Sequence, residues 1–285
     1  MIQLSTTESP SVAKPIIVTP SKRLELPNFR EVWEYRDLLW FLVQRELKVR
    51  FQQTFIGVLW IALQPILQMV IFYIVLGVLV KVPTDNIPYP IFFLSGFIVW
   101  QLFSQIVNSS AYSLLGNVGI ITKSYFPRLV LPLASTISSI IDFLVSLALV
   151  LVLMAINHFP ITERFFALPI LMLLTMLFSS GVGLFFGALM VSFRDVRNLL
   201  GFILMIWMYI TPIMYPISIV PEQYKIMFRL NPLTVLVEAF RWVFLGTGSL
   251  PPGHQILLSF VVAVAIWFIG AVMFRSMENK IADVM

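Results

Sequence analysis

Polarity along the chain falls into blocks, and the blocks predict the elements. Residues 1–30 are polar and interrupted by Pro10, Pro15, Pro20 and Pro27. Their one apolar patch, Ile16 to Val18, is too short for a signal-peptide core, so the segment reads as a partly disordered cytosolic tail. Residues 31–56 mix apolar and charged positions at helical spacing. Trp40, Val43, Leu47 and Phe51 fall on one face and Arg45, Lys48 and Gln52 on the other, with Phe41 and Val49 straying toward the polar side. Such a mixture of Trp, Leu and basic residues predicts an amphipathic helix lying in the lipid headgroup plane.

Six apolar runs follow, at 57–80, 89–112, 129–157, 165–191, 199–218 and 255–274. Each is near the roughly 20 residues that a helix needs to cross the hydrocarbon. Pro65, Pro132, Pro169 and Pro212 are tolerable there, because neighbouring helices can satisfy the freed carbonyls. The stretch 219–253 is different: Arg229, Asn231, Pro232, Glu238 and Arg241 break its apolar character. A full crossing would strand those charges in hydrocarbon at roughly 2.5–3.5 kcal/mol each. Two short helices that dip in and return, with the turn at Asn231-Pro232, fit better. The predicted fold is thus an all-α integral membrane protein. It has a six-span domain over 57–275, a re-entrant outer gate at about 219–250, and a short cytosolic tail at 276–285. No inverted or tandem repeat is visible.

Composition sharpens this picture. Hydrophobic residues make up 59% of the 285 positions and charged residues only 12%, with a mean hydropathy of +0.93. No soluble domain of this length could bury that much apolar surface. The net charge of +5 does not imply nucleic acid, because no basic face with interleaved aromatics exists and the cations flank apolar runs. With the N-terminus cytosolic, alternate loops place fourteen Lys and Arg inside and five outside, which sets the orientation and brings both termini inside. Cysteine is absent, and the two histidines, His158 and His254, lie far apart, so a metal site is not expected.

Candidate chemistry is sparse. No glycine is followed by lysine, so the phosphate-cradling Gly-x4-Gly-Lys-Ser/Thr loop is missing, as are H-E-x-x-H and G-x-S-x-G. No catalytic residue is expected, nor any cofactor bound by this chain. The loop from Leu115 to Arg128 carries two glycines, an apolar Ile120-Ile121 pair and a rigid Phe126-Pro127 corner. A short helix docking on a partner and an ordinary interfacial turn fit that spacing equally well. Asp142 stands alone in the third run; Ser138, Ser139 or Ser146 are its expected hydrogen-bond donors. Glu238 and Arg241, at i and i+3, are spaced to pair on a helix. Gly183 and Gly187, with Ser179, form a ridge of small residues for close helix packing.

Several segments in register resemble one family. Arg36 to Phe51 running on to Ile56 to Ile66, then Lys123-Ser-Tyr-Phe-Pro-Arg128 with Leu131-Pro132, are similar to polysaccharide-export permeases of the type-2 ATP-binding-cassette class. Phe193-Arg-Asp-Val196, Asn231-Pro-Leu233, Glu238-Ala-Phe-Arg241 and Ile281-Ala-Asp-Val284 extend the match in the same order, over nearly everything after Glu31. That family includes the O-antigen and teichoic-acid exporters. The resemblance implies a bacterial inner-membrane homodimer working with two ATPase subunits, which hold the ATP and magnesium, and moving a lipid-diphosphate-linked glycan. It implies ATPase contact by Arg45, Glu46, Lys48, Asn117, Lys123, Tyr125, Phe126 and Arg128, with Arg194 and Asp195 either joining them or merely anchoring topology. Arg50, Lys123 and Arg128 are expected to receive the diphosphate at the inner face. Asn231, Pro232, Glu238 and Arg241 are expected at the outer gate. Trp60, Tyr73, Trp100, Trp207, Tyr209 and Tyr215 are candidates for stacking on a passing glycan, although most membrane aromatics are interface belts or packing. A permease for a small drug or lipid uses the same architecture. A membrane enzyme acting on lipid-linked sugars would want charged side chains converging at one face, and the outer loops offer only scattered ones.

Overall fold

The computed structural model describes residues 29–51, 59–123, 125–246 and 250–284, and every regular element among them is helical. The predicted tail therefore lies outside the described residues as far as residue 28. Two helices precede the first span, α1 (Phe29–Glu34) and α2 (Arg36–Phe51). Next, α3 (Leu59–Phe72) continues as a π-helical segment, Tyr73–Leu79. Then come α4 (Tyr89–Tyr112), a tight turn at Leu115–Asn117 leading into α5 (Val118–Ile121), and α6 (Val130–Ile156). The second half holds α7 (Leu168–Ser192), α8 (Val196–Ile210), α9 (Glu222–Leu230), α10 (Pro232–Leu245) and α11 (Gly253–Val284).

Among the described residues, five stretches are long and apolar enough to cross a bilayer: Leu59–Leu79, Tyr89–Tyr112, Val130–Ile156, Glu163–Ser192 and Gly253–Met277. The run at 199–218 differs from expectation. Its helix, α8, stops at Ile210 after 15 residues, or about 22 Å, against a hydrocarbon core of about 30 Å. The cause is local. Thr211 precedes Pro212 and is forced out of the helical region, to φ −82° and ψ 132°.

At the centre of the bundle stands α4, with residues 91–100 all buried. It is packed by α3, α6, α7 and α10, while α11 covers the far side of α7. Small residues set these distances. Gly183 and Gly187 of α7 face Ser110 and Ala111 of α4, so the ridge read from the sequence does pack inside the subunit. Phe72, Phe93 and Phe97 stack in succession at 5.1 Å between centroids, tying α3 to α4. Pro65 is the one buried residue of α3, which otherwise lies at the edge of the bundle.

On α2 the apolar residues divide between two sides. Leu42 and Val43 are buried in a cluster with Leu129, Val130 and Leu131. Trp40, Phe41 and Val49 are 59%, 60% and 62% exposed. Trp40 was expected to share the face of Val43, but tertiary packing on α6 selects the Leu42–Val43 side.

Candidate functional site

Polar side chains gather at the two ends of the bundle. At the end formed by α2, the last turn of α4 and the first turns of α6, a cavity of about 300 Å³ opens among Arg45, Glu46, Tyr112, Ser113, Asn117 and Ser135. Arg45 donates to the Asn117 side-chain carbonyl at 3.0 Å, and the Asn117 amide in turn donates to the Ser113 carbonyl at 2.8 Å. This chain of bonds fixes the corner that ends α4 and docks α2 on it. Two residues expected to act together, Arg45 and Asn117, thus touch. Glu46 lines the same cavity, whereas Lys48 is exposed.

Beside this cavity the loop ahead of α6 forms a second recess of about 270 Å³, lined by Thr122, Lys123, Tyr125, Phe126 and Arg128. Lys123 and Tyr125 are exposed there, while Phe126 is buried against Leu42, Val43 and Leu129. Phe126 therefore anchors the loop, and Lys123 and Tyr125 are its outward groups. Arg194 and Asp195 are exposed in the α7–α8 turn. The Tyr112 hydroxyl donates to the Arg197 carbonyl at 3.4 Å, which keeps that turn at the same end.

Arg50, expected to meet the diphosphate at the inner face, is engaged by acidic side chains of the protein. Its guanidinium donates to Asp142 of α6 at 2.5 Å and lies 3.7 Å from Glu46. The serines expected to serve Asp142 are committed elsewhere. Ser138 and Ser139 donate to the Ser135 carbonyl, and Ser146 donates to the Gln101 side-chain carbonyl.

The opposite end is organised by the break after α8. Three successive carbonyls of this buried, non-helical segment are captured by side chains. Arg241 of α10 donates to Pro212 at 2.8 Å and to Ile213 at 2.6 Å, and the Tyr89 hydroxyl donates to Met214 at 3.0 Å. Irregular backbone survives inside a membrane protein only where its polar groups are met in this way. Arg241 is almost wholly buried, and its guanidinium carbon lies 3.8 Å from the Phe92 ring centroid. Gly96 makes room for it, since a β-carbon there would stand 2.9 Å from a guanidinium nitrogen. The pairing that its spacing with Glu238 suggested does not form among the described residues; the carbonyls take the guanidinium instead.

Asn231 sits at the predicted turn between α9 and α10, with Pro232 following it. Its side-chain carbonyl caps α10 by accepting from the Leu233 amide at 3.2 Å and also accepts from the Trp207 indole at 3.2 Å. Its amide donates to the Thr211 hydroxyl at 3.0 Å. One asparagine thus joins the end of α8 to the start of α10. On α9, Lys225 donates to Glu222 at 2.6 Å, and that bond holds the Glu222 carboxyl below the usual range.

The six aromatics singled out in sequence do not gather. Trp100 and Trp207 are packed around Phe103. Trp60, Tyr73 and Tyr209 are exposed, and Tyr215 donates to the Tyr209 carbonyl at 2.9 Å. Tyr89, Thr211 and Gly96 escaped sequence reasoning; the only clue was Pro212, whose freed neighbourhood had to be satisfied from somewhere.

A helical, multi-pass membrane protein with polar clusters at both ends of its bundle and apolar packing between them has the anatomy of a transporter. The family described as ABC-2 type transporter matches residues 37–245, and the chain belongs to that family. It is 31% identical over 258 residues to the O-antigen export system permease protein RfbA of Myxococcus xanthus, across 89% of this chain and 97% of that protein. The RfbA permease of Klebsiella pneumoniae is 27% identical over 250 residues, covering 87% and 95% of the two chains. The polysialic acid transport protein KpsM of Escherichia coli is 28% identical over 244 residues, covering 84% and 92%.

Proposed function

We propose that this chain is the permease subunit of an exporter that moves a lipid-linked, O-antigen-like polysaccharide across the bacterial inner membrane. The observation that carries the reading is the continuous similarity, over nearly their whole length, to relatives named for O-antigen export and polysialic acid transport. In this reading two copies pair and two ATPase subunits, holding ATP and magnesium, attach at the cytosolic end. The contacts are Arg45, Glu46, Lys48, Asn117, Lys123, Tyr125, Phe126, Arg128, Arg194 and Asp195. Lys123 and Arg128 receive the substrate diphosphate. The helix α2 rests at the headgroup layer. The α8 segment with the buried residues after it makes a sixth crossing, so both termini are cytosolic. Two re-entrant helices, α9 and α10, form an outer gate at Asn231, Pro232, Glu238 and Arg241. Exposed Trp60, Tyr73 and Tyr209 offer ring faces to the glycan.

The test is co-purification with an ATPase from the same cell, followed by reconstitution in vesicles. Polysaccharide export and nucleotide hydrolysis are expected only when both chains are present. The double reversal Lys123→Glu with Arg128→Glu should cut export per assembled complex by about tenfold or more, in line with the loss of charge-assisted bonds to a phosphate, with co-purification reporting separately any loss of ATPase contact. Export of a small lipid or drug in place of polysaccharide would overturn the substrate assignment.

A further inference from the structure

Asp142 lies twelve positions into α6, about 18 Å along the helix axis, and only 10% of its side chain is exposed. An unpaired carboxylate at such a depth costs roughly 2.5–3.5 kcal/mol on the insertion scale. Its partner comes from 92 residues away: Arg50, in the last turn of α2, an element that is not itself a span. The polar groups around it are otherwise committed, as the serine bonds above describe.

That pair gives α2 a second anchorage. The first is Arg45 on Asn117, at the corner that ends α4. The second reaches past the corner into the body of α6. Between them Leu42 and Val43 pack on the first turns of α6. Opposite this packed side, Asp37, Gln44 and Lys48 are exposed and open to a partner. A load applied to that outer side enters the bundle through the polar corner at Asn117, through the apolar packing on the first turns of α6 and through Arg50 on Asp142, and the last of these reaches furthest along the spanning helix.

A guanidinium–carboxylate contact shielded from water is directional and costly to break, because the Asp142 carboxylate would be left charged and alone. It therefore behaves as a stiff link. Glu46, 3.7 Å from Arg50 and one turn back on α2, steadies the guanidinium from its own helix.

We infer that the Arg50–Asp142 pair is the strut through which movement of α2 is passed to α6 during transport. The two are positioning residues: they touch neither nucleotide nor glycan. This rests on the exporter reading above, and it replaces diphosphate binding as the role of Arg50.

The reconstituted complex of permease and ATPase tests it with Asp142→Asn, Arg50→Gln, Arg50→Lys and the exchange Arg50→Asp with Asp142→Arg. The single variants Asp142→Asn and Arg50→Gln should keep nucleotide hydrolysis within about twofold and lose about tenfold or more of the polysaccharide exported per nucleotide, the range of ordinary coupling energies. Arg50→Lys should lie between. The exchanged pair should recover most of the lost ratio. A diphosphate-binding arginine predicts no such recovery, and export per nucleotide that is unchanged in the single variants overturns the strut.

The second readout does not depend on polysaccharide or on the single variants assembling well. The chain has no cysteine, so Val49→Cys on α2 and Leu144→Cys on α6, both at exposed positions, can carry a pair of distance labels. With the pair intact, their separation should stay constant between nucleotide-bound and nucleotide-free complex. A separation that changes in the otherwise native protein overturns the strut. A complex whose labels behave as expected but which exports no polysaccharide refutes the substrate reading alone.

Discussion

Arg241 decides the outer end. It is buried, it holds two carbonyls that no helix satisfies, and its Nε has no hydrogen-bond partner among the described residues. Arg241→Met would leave two carbonyls unmet, at about 1–3 kcal/mol each, whereas Tyr89→Phe leaves only that of Met214 unmet, at about 1–3 kcal/mol. Thermal unfolding in detergent should therefore rank Arg241→Met well below Tyr89→Phe, with Arg241→Lys intermediate because an ammonium lacks the two-pronged reach. An unfolding midpoint that Arg241→Met leaves in place would contradict this account. The importance of Arg241 was legible in the sequence, as a charge too deep to be idle, but its partner was not. Spacing pointed to Glu238 on the same helix. The true acceptors are backbone atoms about thirty residues upstream, and backbone acceptors leave no mark in a pattern of side chains. Asp142 teaches the same thing. The sequence offers nearby serines, but the donor is an arginine on a different element, brought close only by the docking of α2.

At the scale of elements, span lengths and order could be read directly, because a run of about 20 apolar residues has few alternatives in a bilayer. What broke the reading was Pro212, which sits near the middle of an apolar run and ends α8 there. Helix partners were less visible still. Gly183 and Gly187 were recognisable at their i, i+4 spacing, yet the most crowded glycines among the described residues are Gly181 on α7 and Gly270 on α11, which belong to different elements. A β-carbon at Gly181 would stand 2.6 Å from the Trp267 α-carbon, and one at Gly270 would stand 2.3 Å from the Gly181 carbonyl oxygen. Those neighbours are backbone and have no rotamer to retreat into. Gly181→Ala and Gly270→Ala should each destabilise the α7–α11 contact by about 1–3 kcal/mol, the usual cost of overpacking. Gly201 in α8 has nothing within 4 Å, so Gly201→Ala should leave a monomer unharmed or gain about 0.5–1 kcal/mol from helix propensity. Unfolding midpoints of the three variants, measured side by side, separate crowded glycines from idle ones.

For the whole molecule, the open question of shape is whether the path through α8 crosses the membrane, because the side on which the chain ends depends on it. Five crossings would leave the C-terminal end opposite α2; six return it to the same side. Physical chemistry favours six. The 15 helical residues of α8 fall short of the hydrocarbon by about 8 Å. They are followed by Thr211, Pro212, Ile213 and Met214, all buried in a tight turn in which the Ile213 amide donates to the Thr211 carbonyl. Arg241 and Tyr89 meet the carbonyls of Pro212, Ile213 and Met214, so a crossing leaves none of those three acceptors bare. Charge supports the same answer, since five crossings would carry the cations of the last helix to the side opposite the basic α2. The absence of native cysteine makes the measurement clean. Asn198→Cys in the first turn of α8 and Gln223→Cys beyond its end, each exposed, should react with a membrane-impermeant thiol reagent from opposite faces. Asn198→Cys should react from the cytosolic face and Gln223→Cys from the outer one. Labelling of both from one face would make α8 a surface helix and turn the C-terminal end outward.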